Sequence, residues 1–186
     1  MTDNLELELS PSGTAGVVLA NGSMSSETLN ERQIRKELIE NDLVDCMVSM
    51  SSQLFYNTQI QDCSWFLARN KEGKTKLNNS NNKILFIVAR KLGTMISCKQ
   101  KKLSEKDIAK ISDTYHNWKS KADFKVNFVD IAGFCKSANI QDVHKTDYIL
   151  TPGRYINPKE VVEDGIAFNR QNENAFRHTF GTNAKS

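Results

Sequence analysis

Four short, mostly apolar runs limit the fold of this chain more than any other feature of its sequence. They cover residues 14–20, 43–50, 60–68 and 84–90, and turn-forming or polar residues flank each of them. Runs of this length between turn signals are typical of buried β-strands. Residues 25–42 have the pattern of an amphipathic helix and separate the first two runs, whereas only a loop separates the second from the third. This order predicts a parallel pair of strands with an antiparallel neighbour, in a mixed α/β sheet that helices cover.

Capping-box pairs mark the starts of two predicted helices. Thr28 and Glu31 have this spacing in the first helix, and Ser104 and Asp107 have it in a helix over residues 103–120. The second helix repeats apolar residues at helical spacing, which predicts one buried face: Ile108, Ile111, Tyr115 and Trp118.

Local signals elsewhere are weaker. Arg35 is expected on the solvent side of the first helix, and residues 133–138 are expected to be extended. Asn139 is positioned to cap a further short helix, and the Pro152-Gly153 pair favours a type II turn.

The third apolar run has an unusual composition for a buried strand. Alternation places Asp62 and Ser64 on the same face as Phe66, where a buried strand would carry apolar or β-branched residues. An aspartate buried without a partner costs several kcal/mol or becomes neutral through a raised pKa. The opposite face of the strand carries Gln61, Cys63, Trp65 and Leu67.

Composition narrows the class of protein without indicating a function. Of the 186 residues, 39% are hydrophobic and 25% are charged, as in ordinary soluble globular proteins. The net charge of +3 permits a nucleic-acid partner but does not indicate one. The four cysteines lack metal-site spacing, and three lie in apolar segments, which predicts buried free thiols in a reducing cytoplasm. No signal peptide or membrane span is recognisable, so a cytoplasmic location without a membrane partner is expected.

Motifs of common enzyme sites do not occur in this sequence. It contains no G-x-G-x-x-G turn, P-loop or G-x-S-x-G, and its three histidines lie in separate segments. No catalytic, cofactor-binding or metal-binding residue is therefore assigned. Phe55 and Tyr56, in the loop between the second and third runs, leave two interpretations open. One aromatic fills the core while the other lies at its rim, or the pair forms a stacking platform for a planar ligand such as a nucleobase.

A set of longer strings, in order along residues 12–157, carries a family resemblance. They resemble the C-terminal part of the modification (M) subunit of type I restriction-modification systems, a family of N6-adenine DNA methyltransferases. The strings are GVVLANGSMSS, IRKELIENDLVDCMVSM, QLFYNTQI, WFLARNK, ILFIVARKLGTMI, LSEKDIAKISDTYHNW, GFCKSA and DYILTPGRYI.

The resemblance implies a partial methyltransferase fold of the type that uses S-adenosylmethionine (SAM). Residues 14–20, 43–50 and 60–68 would be the last three strands of its mixed sheet, including the antiparallel hairpin, and a helical C-terminal region would follow. It divides the chain into an N-terminal segment (1–13), the second half of the sheet domain (14–90), a C-terminal α+β region (91–157) and a flexible tail (158–186).

The resemblance also implies site residues. In related adenine methyltransferases the loop between the last two strands supplies an aromatic that packs against the flipped adenine. By position this role would fall to Phe55, with Tyr56 as the alternative. Lys99, Lys101 and Lys102 are candidates for contacts with DNA phosphates, although such a charge run is more often a solvated face.

Two motifs of the family do not occur here. An Asn/Asp-Pro-Pro-Phe/Tyr tetrad is impossible because the three prolines, at 11, 152 and 158, are not adjacent. The glycine-rich turn that would hold SAM also lies upstream of residue 1 in the family. We therefore expect a truncated M subunit that neither binds SAM nor methylates adenine N6 alone, and its status as an enzyme is left open.

The expected partners are the specificity (S) and restriction (R) subunits, DNA and, where one exists, a chain carrying the missing N-terminal half. Two alternatives remain open. The chain could be a non-catalytic module in which residues 103–157, with the Tyr115 and Trp118 helix, contact a specificity subunit or DNA. It could also be a decayed gene remnant, because Gln61, Asp62 and Ser64 depart from the family's apolar strand. The alternative interpretation of these three residues is that the first half of the strand over 60–68 is exposed to solvent.

Overall fold

The computed structural model describes residues 9–56, 59–73, 79–120 and 128–157. The strands in these residues are β1 (Thr14–Ala20), β2 (Val44–Ser49), β3 (Asp62–Ala68), β4 (Lys83–Val88), β5 (Thr94–Ser97), β6 (Gln100–Lys102) and β7 (Cys135–Asn139). The α-helices are α1 (Leu29–Glu40), α2 (Glu105–Lys119) and α3 (Ile140–Lys145), and two 3-10 helices cover Asn21–Met24 and Pro152–Arg154. No helix in this part of the chain is long and apolar enough to cross a membrane.

Five of the strands form one mixed sheet in the order β1-β3-β2-β4-β7. β3 is antiparallel to both β1 and β2, whereas β2 and β4 are parallel and β7 is antiparallel to β4. β1 and β2 therefore point in the same direction, but the reversed strand lies between them and pairs with both. The mixed α/β sheet predicted from the sequence is confirmed, and β7 extends it with residues beyond position 90.

One face of the sheet carries the larger core. Cys63, Trp65 and Leu67 of β3 lie on this face, as the alternation predicted, and pack with residues of α1 and of the segment around Tyr155. The ring of Phe86 in β4 stacks on Tyr155 with centroids 4.0 Å apart and an angle of 8° between the planes. This core fixes α1 and the C-terminal part of the described chain on the same side of the sheet.

Arg35 lies inside this layer and not on the solvent side of α1, so the prediction for it was wrong. Its side chain is 2% exposed. The guanidinium donates hydrogen bonds to the carbonyl oxygens of Tyr148 at 2.7 Å and Ser26 at 3.0 Å. These bonds offset the cost of burying its charge, and they tie α1 to the residues that follow α3.

α2 covers the other face of the sheet. Trp118 is 5% exposed and packs against β2 and β4. The capping box at its start is confirmed, because Ser104 Oγ accepts from the Asp107 N–H and the Asp107 carboxylate accepts from the Ser104 N–H. These bonds lower the pKa of Asp107. The capping box predicted for α1 does not form, since the Thr28 hydroxyl lies 3.0 Å from Ser26 Oγ and makes no cap bond.

Two predictions near the C-terminal end were partly or wholly wrong. Asn139 precedes α3 as predicted, but its side chain makes no cap hydrogen bond. Pro152 begins a 3-10 helix in place of a type II turn. The Arg154 N–H donates to the Thr151 carbonyl at 3.0 Å and the Tyr155 N–H to the Pro152 carbonyl at 3.1 Å, so the backbone continues in a helical sense.

Candidate functional site

The carboxyl ends of β1, β2 and β4 lie at one edge of the sheet. These strands share a direction, and they end at Ala20, Ser49 and Val88. In open α/β sheets ligands bind outside the carboxyl ends of the parallel strands. The loop between β2 and β3 leaves from this edge and carries Phe55 and Tyr56, so the edge is the candidate site.

Backbone hydrogen bonds hold this loop at its base and near its tip. At the base, the Met50 N–H donates to the Asp62 carbonyl at 2.9 Å. Near the tip, the Lys101 N–H of β6 donates to the Gln53 carbonyl at 2.8 Å. Gln53 has a φ of 64°, in the left-handed region that non-glycine residues seldom adopt. The loop is therefore joined to the β5–β6 hairpin in a specific backbone conformation.

A cleft of about 430 Å³ opens between the loop, the hairpin and the sheet. Phe55 lines it and is 47% exposed, whereas Tyr56 is 85% exposed and does not line it. The other side chains that line the cleft are mainly apolar, with two lysines on the hairpin side: Val18, Met50, Leu54, Ser64, Ile96, Gln100, Lys101, Lys102 and Leu103. The structure thus brings together one of the two candidate aromatics and two of the three candidate lysines.

The third candidate lysine, Lys99, lies at the turn of the hairpin between β5 and β6 and is exposed. It does not line the cleft. Lys101 is half-buried and Lys102 is exposed. Of the three lysines, only Lys101 and Lys102 flank the space beside Phe55.

Asp62 lies at the base of the same loop and is buried, with 8% of its surface exposed. The expectation that this half of β3 is exposed is therefore wrong for Asp62. Its Oδ2 atom has no hydrogen-bond partner, and neither does the buried Oγ of Ser51 at the other end of the loop base. Burial raises the pKa of the Asp62 carboxyl. The base of the loop thus contains two buried polar atoms, Asp62 Oδ2 and Ser51 Oγ, that make no hydrogen bond, which costs folding free energy.

Asp45, near the amino end of β2, is also buried, but unlike Asp62 its carboxylate is paired. It is 1% exposed and accepts hydrogen bonds from Tyr115 Oη at 2.7 Å and Lys119 Nζ at 2.7 Å, both on α2. Burial and the nearby Asp45 charge raise the pKa of Tyr115. Because Asp45 lies near the amino end of its strand, this pair is remote from the candidate site and anchors α2 to the sheet.

A buried lysine, Lys71, lies near this anchor at the amino ends of the strands. Lys71 begins a polar segment rich in asparagine and lysine, residues 71–83, yet it is 3% exposed. Its Nζ donates to Asp42 Oδ1 at 2.5 Å and to the carbonyl oxygens of Lys83 at 2.8 Å and Val44 at 3.0 Å. Burial lowers the pKa of Lys71. All three of its donors are used, so its role is to join the starts of β2 and β4.

The interaction-module hypothesis uses α2 as a contact surface. In the structure, Tyr115 and Trp118 of α2 pack toward the sheet. Trp118 donates from Nε1 to Ser137 Oγ at 3.0 Å and is buried, and Tyr115 is bound to Asp45. The buried Trp118 ring is therefore not available to a partner, whereas the half-buried Tyr115 ring lines an apolar cleft under α2. An interaction module would have to use residues of 103–157 other than Trp118.

The described residues at the candidate edge do not fit SAM. The cofactor carries a cationic sulfonium and ribose hydroxyls, for which a site needs acceptors such as carboxylates. The cleft at this edge is lined by two lysines and by no carboxylate. The Asp62 carboxyl lies near it but is buried. The two lysines would repel the sulfonium and the ammonium of SAM and could pair only with its carboxylate, so this cleft lacks the acceptors that the cofactor needs.

Other chemistry-bearing residues are scattered. Cys46, Cys63 and Cys135 are buried free thiols, as predicted, and Cys98 is exposed. His144 Nε2 lies 3.7 Å from Glu40, and His116 lines a separate apolar cleft under α2. In the described ranges no group of three His, Cys, Asp or Glu residues is placed to hold a metal ion. His178 lies outside those ranges.

Comparison with known proteins decides the family. The family model described as N-6 DNA Methylase matches residues 5–164. The chain belongs to this N-6 DNA methylase family. It is similar to the type I restriction enzyme HindI methylase subunit of Haemophilus influenzae, with 45% identity over 166 residues. It is also similar to the MjaIX methylase subunit of Methanocaldococcus jannaschii, with 41% identity over 159 residues.

These alignments cover most of this chain but a minority of each relative. They span 89% and 85% of the chain, and 35% and 27% of the HindI and MjaIX subunits. The chain therefore spans roughly a third of the length of these N-6 DNA methylases.

Solved structures agree on the fold. The crystal structure of a type I restriction-modification methyltransferase subunit from Streptococcus thermophilus has a TM-score of 0.63 at 25% identity, over 78% of this chain and 27% of that one. A structure of the type I R-M system reaches 0.57 at 15% identity, over 91% of this chain and 33% of that one, and supports the fold alone. The predicted partial methyltransferase fold is thus confirmed.

Proposed function

We propose that this chain is part of a DNA methyltransferase of a type I restriction-modification system, which methylates adenine N6. In this role it contributes strands of the catalytic sheet and the loop that stacks on the target base. SAM would be the methyl donor, bound by residues outside this chain. The partners would be specificity and restriction subunits and DNA, in the cytoplasm. Membership of the N-6 DNA methylase family and the similarity to type I methylase subunits support this proposal.

The position of Phe55 carries the proposal. Its ring is 47% exposed although it lies against an apolar cleft, so one side is free to contact a planar ligand. Aromatic faces bind unstacked bases with about 1–3 kcal/mol per base. Lys101 and Lys102 lie across the same cleft, where they can neutralise the phosphates next to a stacked nucleotide. One cleft thus offers both interactions that a flipped nucleotide needs.

Phe55 is assigned the stacking role in preference to Tyr56. Tyr56 is 85% exposed and lies outside the cleft. The bond between the Gln53 carbonyl and the Lys101 N–H holds the loop beside the hairpin two residues before Phe55. This arrangement positions Phe55 in advance, which lowers the entropic cost of binding a base.

Calorimetry with SAM tests whether residues outside this chain are needed to bind the cofactor. This chain alone is expected to show no SAM binding, and coexpression with the part of the HindI methylase subunit outside the aligned segment is expected to restore it. Binding by the chain alone would contradict the proposal. Binding only by the pair would justify a methylation assay on DNA with a specificity subunit present. If neither the chain alone nor the pair binds SAM, the remaining hypotheses are the interaction module and the gene remnant.

Substitution of the two aromatics tests the stacking role separately. We expect Phe55→Ala to weaken binding of a single-stranded oligonucleotide containing 2-aminopurine by about 1–3 kcal/mol, because it removes the stacking face. Tyr56→Ala is the matched control and is expected to change the affinity much less. Fluorescence of the 2-aminopurine reports stacking directly, and thermal unfolding checks that both variants fold. Equal effects of the two substitutions would refute the assignment of Phe55.

A further inference from the structure

Residues 90–104, which contain the β5–β6 hairpin, concentrate positive charge. They include five of the 25 lysines and arginines of the chain and none of its 22 acidic residues. Because the whole chain has a net charge of +3, the residues outside this segment together have a net charge of −2. The basic character of the protein therefore belongs to the hairpin and its flanks, which indicates an anionic partner for this element.

The hairpin is also exposed on most of its surface. β5 is exposed along its whole length, and β5 and β6 contact mainly each other among the helices and strands of the described residues. The apolar side chains of Met95 and Ile96 are 48% and 55% exposed. A two-stranded ribbon without further packing is marginally stable in water. Exposed apolar side chains on a basic ribbon favour a partner that covers it.

Specific backbone contacts hold the hairpin beside the loop between β2 and β3. Gly93 begins it with a φ of 87°, and a Cβ at this position would lie 3.2 Å from the Lys102 carbonyl oxygen. The Lys101 N–H donates to the Gln53 carbonyl of the loop at 2.8 Å. The hairpin and the loop that carries Phe55 are therefore fixed relative to each other, so a ligand of one lies close to the other.

Only part of the hairpin faces the Phe55 cleft. Ile96 lines this cleft, whereas Met95 lines neither it nor the apolar cleft under α2. Lys99 is exposed at the tip, where its N–H donates to Ser97 Oγ at 3.3 Å. A nucleotide in the cleft thus occupies one side of the ribbon and leaves Met95 and Lys99 available to the DNA that flanks this nucleotide.

We propose that the β5–β6 hairpin enters the major groove of duplex DNA beside the nucleotide that Phe55 stacks on. Lys99 places its ammonium between the two phosphate backbones, and Met95 contacts base edges, such as thymine methyl groups, inside the groove. This inference rests on the proposed function and adds a partner surface to it. The cleft binds one extruded nucleotide, whereas the hairpin binds the base pairs next to it.

The dimensions of the ribbon select the major groove. Paired strands lie about 4.8 Å apart, and their side chains extend the ribbon further. The minor groove is about 6 Å wide, whereas the major groove is about 12 Å wide and admits a two-stranded ribbon. Adenine N6, the atom that the proposed reaction methylates, lies on the major-groove edge of its base pair. The hairpin thus enters the groove that presents the target atom.

Two other occupants fit the hairpin less well. The surface of an acidic protein would match its charge but cover one face of the ribbon, whereas a groove contacts both faces. A further β-strand would have to pair with β5 or β6. The register of the hairpin shifts between Met95 and Ser97, and such an irregularity disfavours pairing along an edge.

Salt dependence of binding by the full chain tests the duplex contact. A labelled duplex and a labelled single strand of the same length are compared by fluorescence anisotropy at several salt concentrations. We expect Lys99→Gln to reduce the magnitude of the slope of log K against log salt concentration by about 0.9 for the duplex. The slope for the single strand should change little, because Lys99 lies outside the cleft. Lys145→Gln on α3 is the matched control and should change neither slope.

A duplex with a filled major groove tests which groove is used. Glucose attached to 5-hydroxymethylcytosine occupies the major groove and leaves the minor groove and the phosphates unchanged, and the duplex without glucose is the control. We expect the wild-type chain to bind the glucosylated duplex about tenfold more weakly. Met95→Ala should weaken binding to the control duplex about fivefold without changing the salt slope, because it removes apolar contact but no charge. Thermal unfolding checks that each variant folds.

Equal duplex slopes for the wild type and Lys99→Gln, or no duplex binding at about 50 mM salt, would overturn the proposal and favour an acidic protein as the partner. Equal changes with the duplex and the single strand, equal affinity for the two modified duplexes, or no effect of Met95→Ala would overturn the insertion into the major groove. The proposed function fails separately. If Phe55→Ala leaves the 2-aminopurine signal unchanged while Lys99→Gln lowers the duplex slope, the stacking role is contradicted and the hairpin contact stands. The reverse result removes the hairpin contact alone.

Discussion

The buried carboxyl group of Asp62 should make the folding stability of this chain depend on pH. Burial raises its pKa in the folded state above the value of about 3.9 in the unfolded chain. Between the two values the folded state holds the proton more tightly than the unfolded state does. The stability that this proton binding contributes is therefore fully present at pH values below the pKa of the unfolded state. It is lost as the pH rises through the higher pKa of the folded state.

We expect Asp62→Asn to stabilise the chain by about 1 kcal/mol at pH 7, because the buried oxygen no longer carries a charge without a partner. The gain should shrink at about pH 4 or below, where the wild-type carboxyl is itself protonated. Urea unfolding at both pH values measures it. Asp45→Asn is the control and should destabilise at pH 7, since Asp45 is paired with Lys119. A loss of stability in Asp62→Asn at pH 7 would contradict this account.

At the scale of residues, sequence identifies a buried charge more readily than its partner. Asp45 and Asp62 both stand out because they lie in apolar strands, yet one is paired and the other is not. The difference depends on Lys119, which is 74 positions from Asp45 along the chain. Lys71 could not be recognised for the same reason, because its polar segment has the composition of a solvated loop. Tertiary contact, which local pattern does not encode, decides these cases.

At the scale of elements, the two predicted capping boxes give a direct test of what a cap contributes. We expect Ser104→Ala to cost about 1 kcal/mol, because it removes the hydroxyl that accepts from the Asp107 N–H. Thr28→Ala is the matched control at α1 and should cost no more than a few tenths of that, since its hydroxyl makes no cap bond. Chemical unfolding of both variants provides the comparison. Similar losses would show that Thr28 caps α1 in solution.

The strands were predictable where burial determines their composition. The apolar runs 14–20 and 43–50 correspond to β1 and β2, and 84–90 to β4 with a shift of one or two residues. The hairpin of β5 and β6 was missed, because its strands are short and largely exposed and so lack an apolar pattern. The position of β3 between β1 and β2 was not evident from hydrophobic pattern either, since strand order depends on contacts between distant segments.

At the scale of the whole molecule, the residues of the candidate site and the buried ion pairs lie at opposite ends of the sheet strands. The hairpin lysines and Phe55 gather at the carboxyl edge, whereas the buried ion pairs of Asp45 and Lys71 lie at the amino edge. The sequence identified Phe55 and the lysines as candidates, but it did not show that they share a cleft. That juxtaposition depends on the Gln53–Lys101 backbone bond, which no side-chain pattern reports.

The proposed nucleic-acid surface predicts how binding responds to salt. Each phosphate contact with a single strand contributes about −0.7 to the slope of log K against log salt concentration. We expect Lys101→Gln and Lys102→Gln each to reduce the magnitude of the slope by about that amount, since both flank the cleft beside Phe55. Lys145→Gln is the control, because Lys145 lies on α3, which contacts β7, does not line the cleft and pairs with Asp142.

Fluorescence anisotropy with a labelled oligonucleotide at several salt concentrations gives these slopes. Lys99 lies at the hairpin turn outside the cleft, so Lys99→Gln should change the slope less than its two neighbours do. Equal slopes for all four variants and the wild type would show that the hairpin lysines form only a solvated face. A smaller slope in the Lys101 and Lys102 variants, with the Phe55→Ala variant keeping the wild-type slope but binding more weakly, would separate the phosphate contacts from the stacking contact in one cleft.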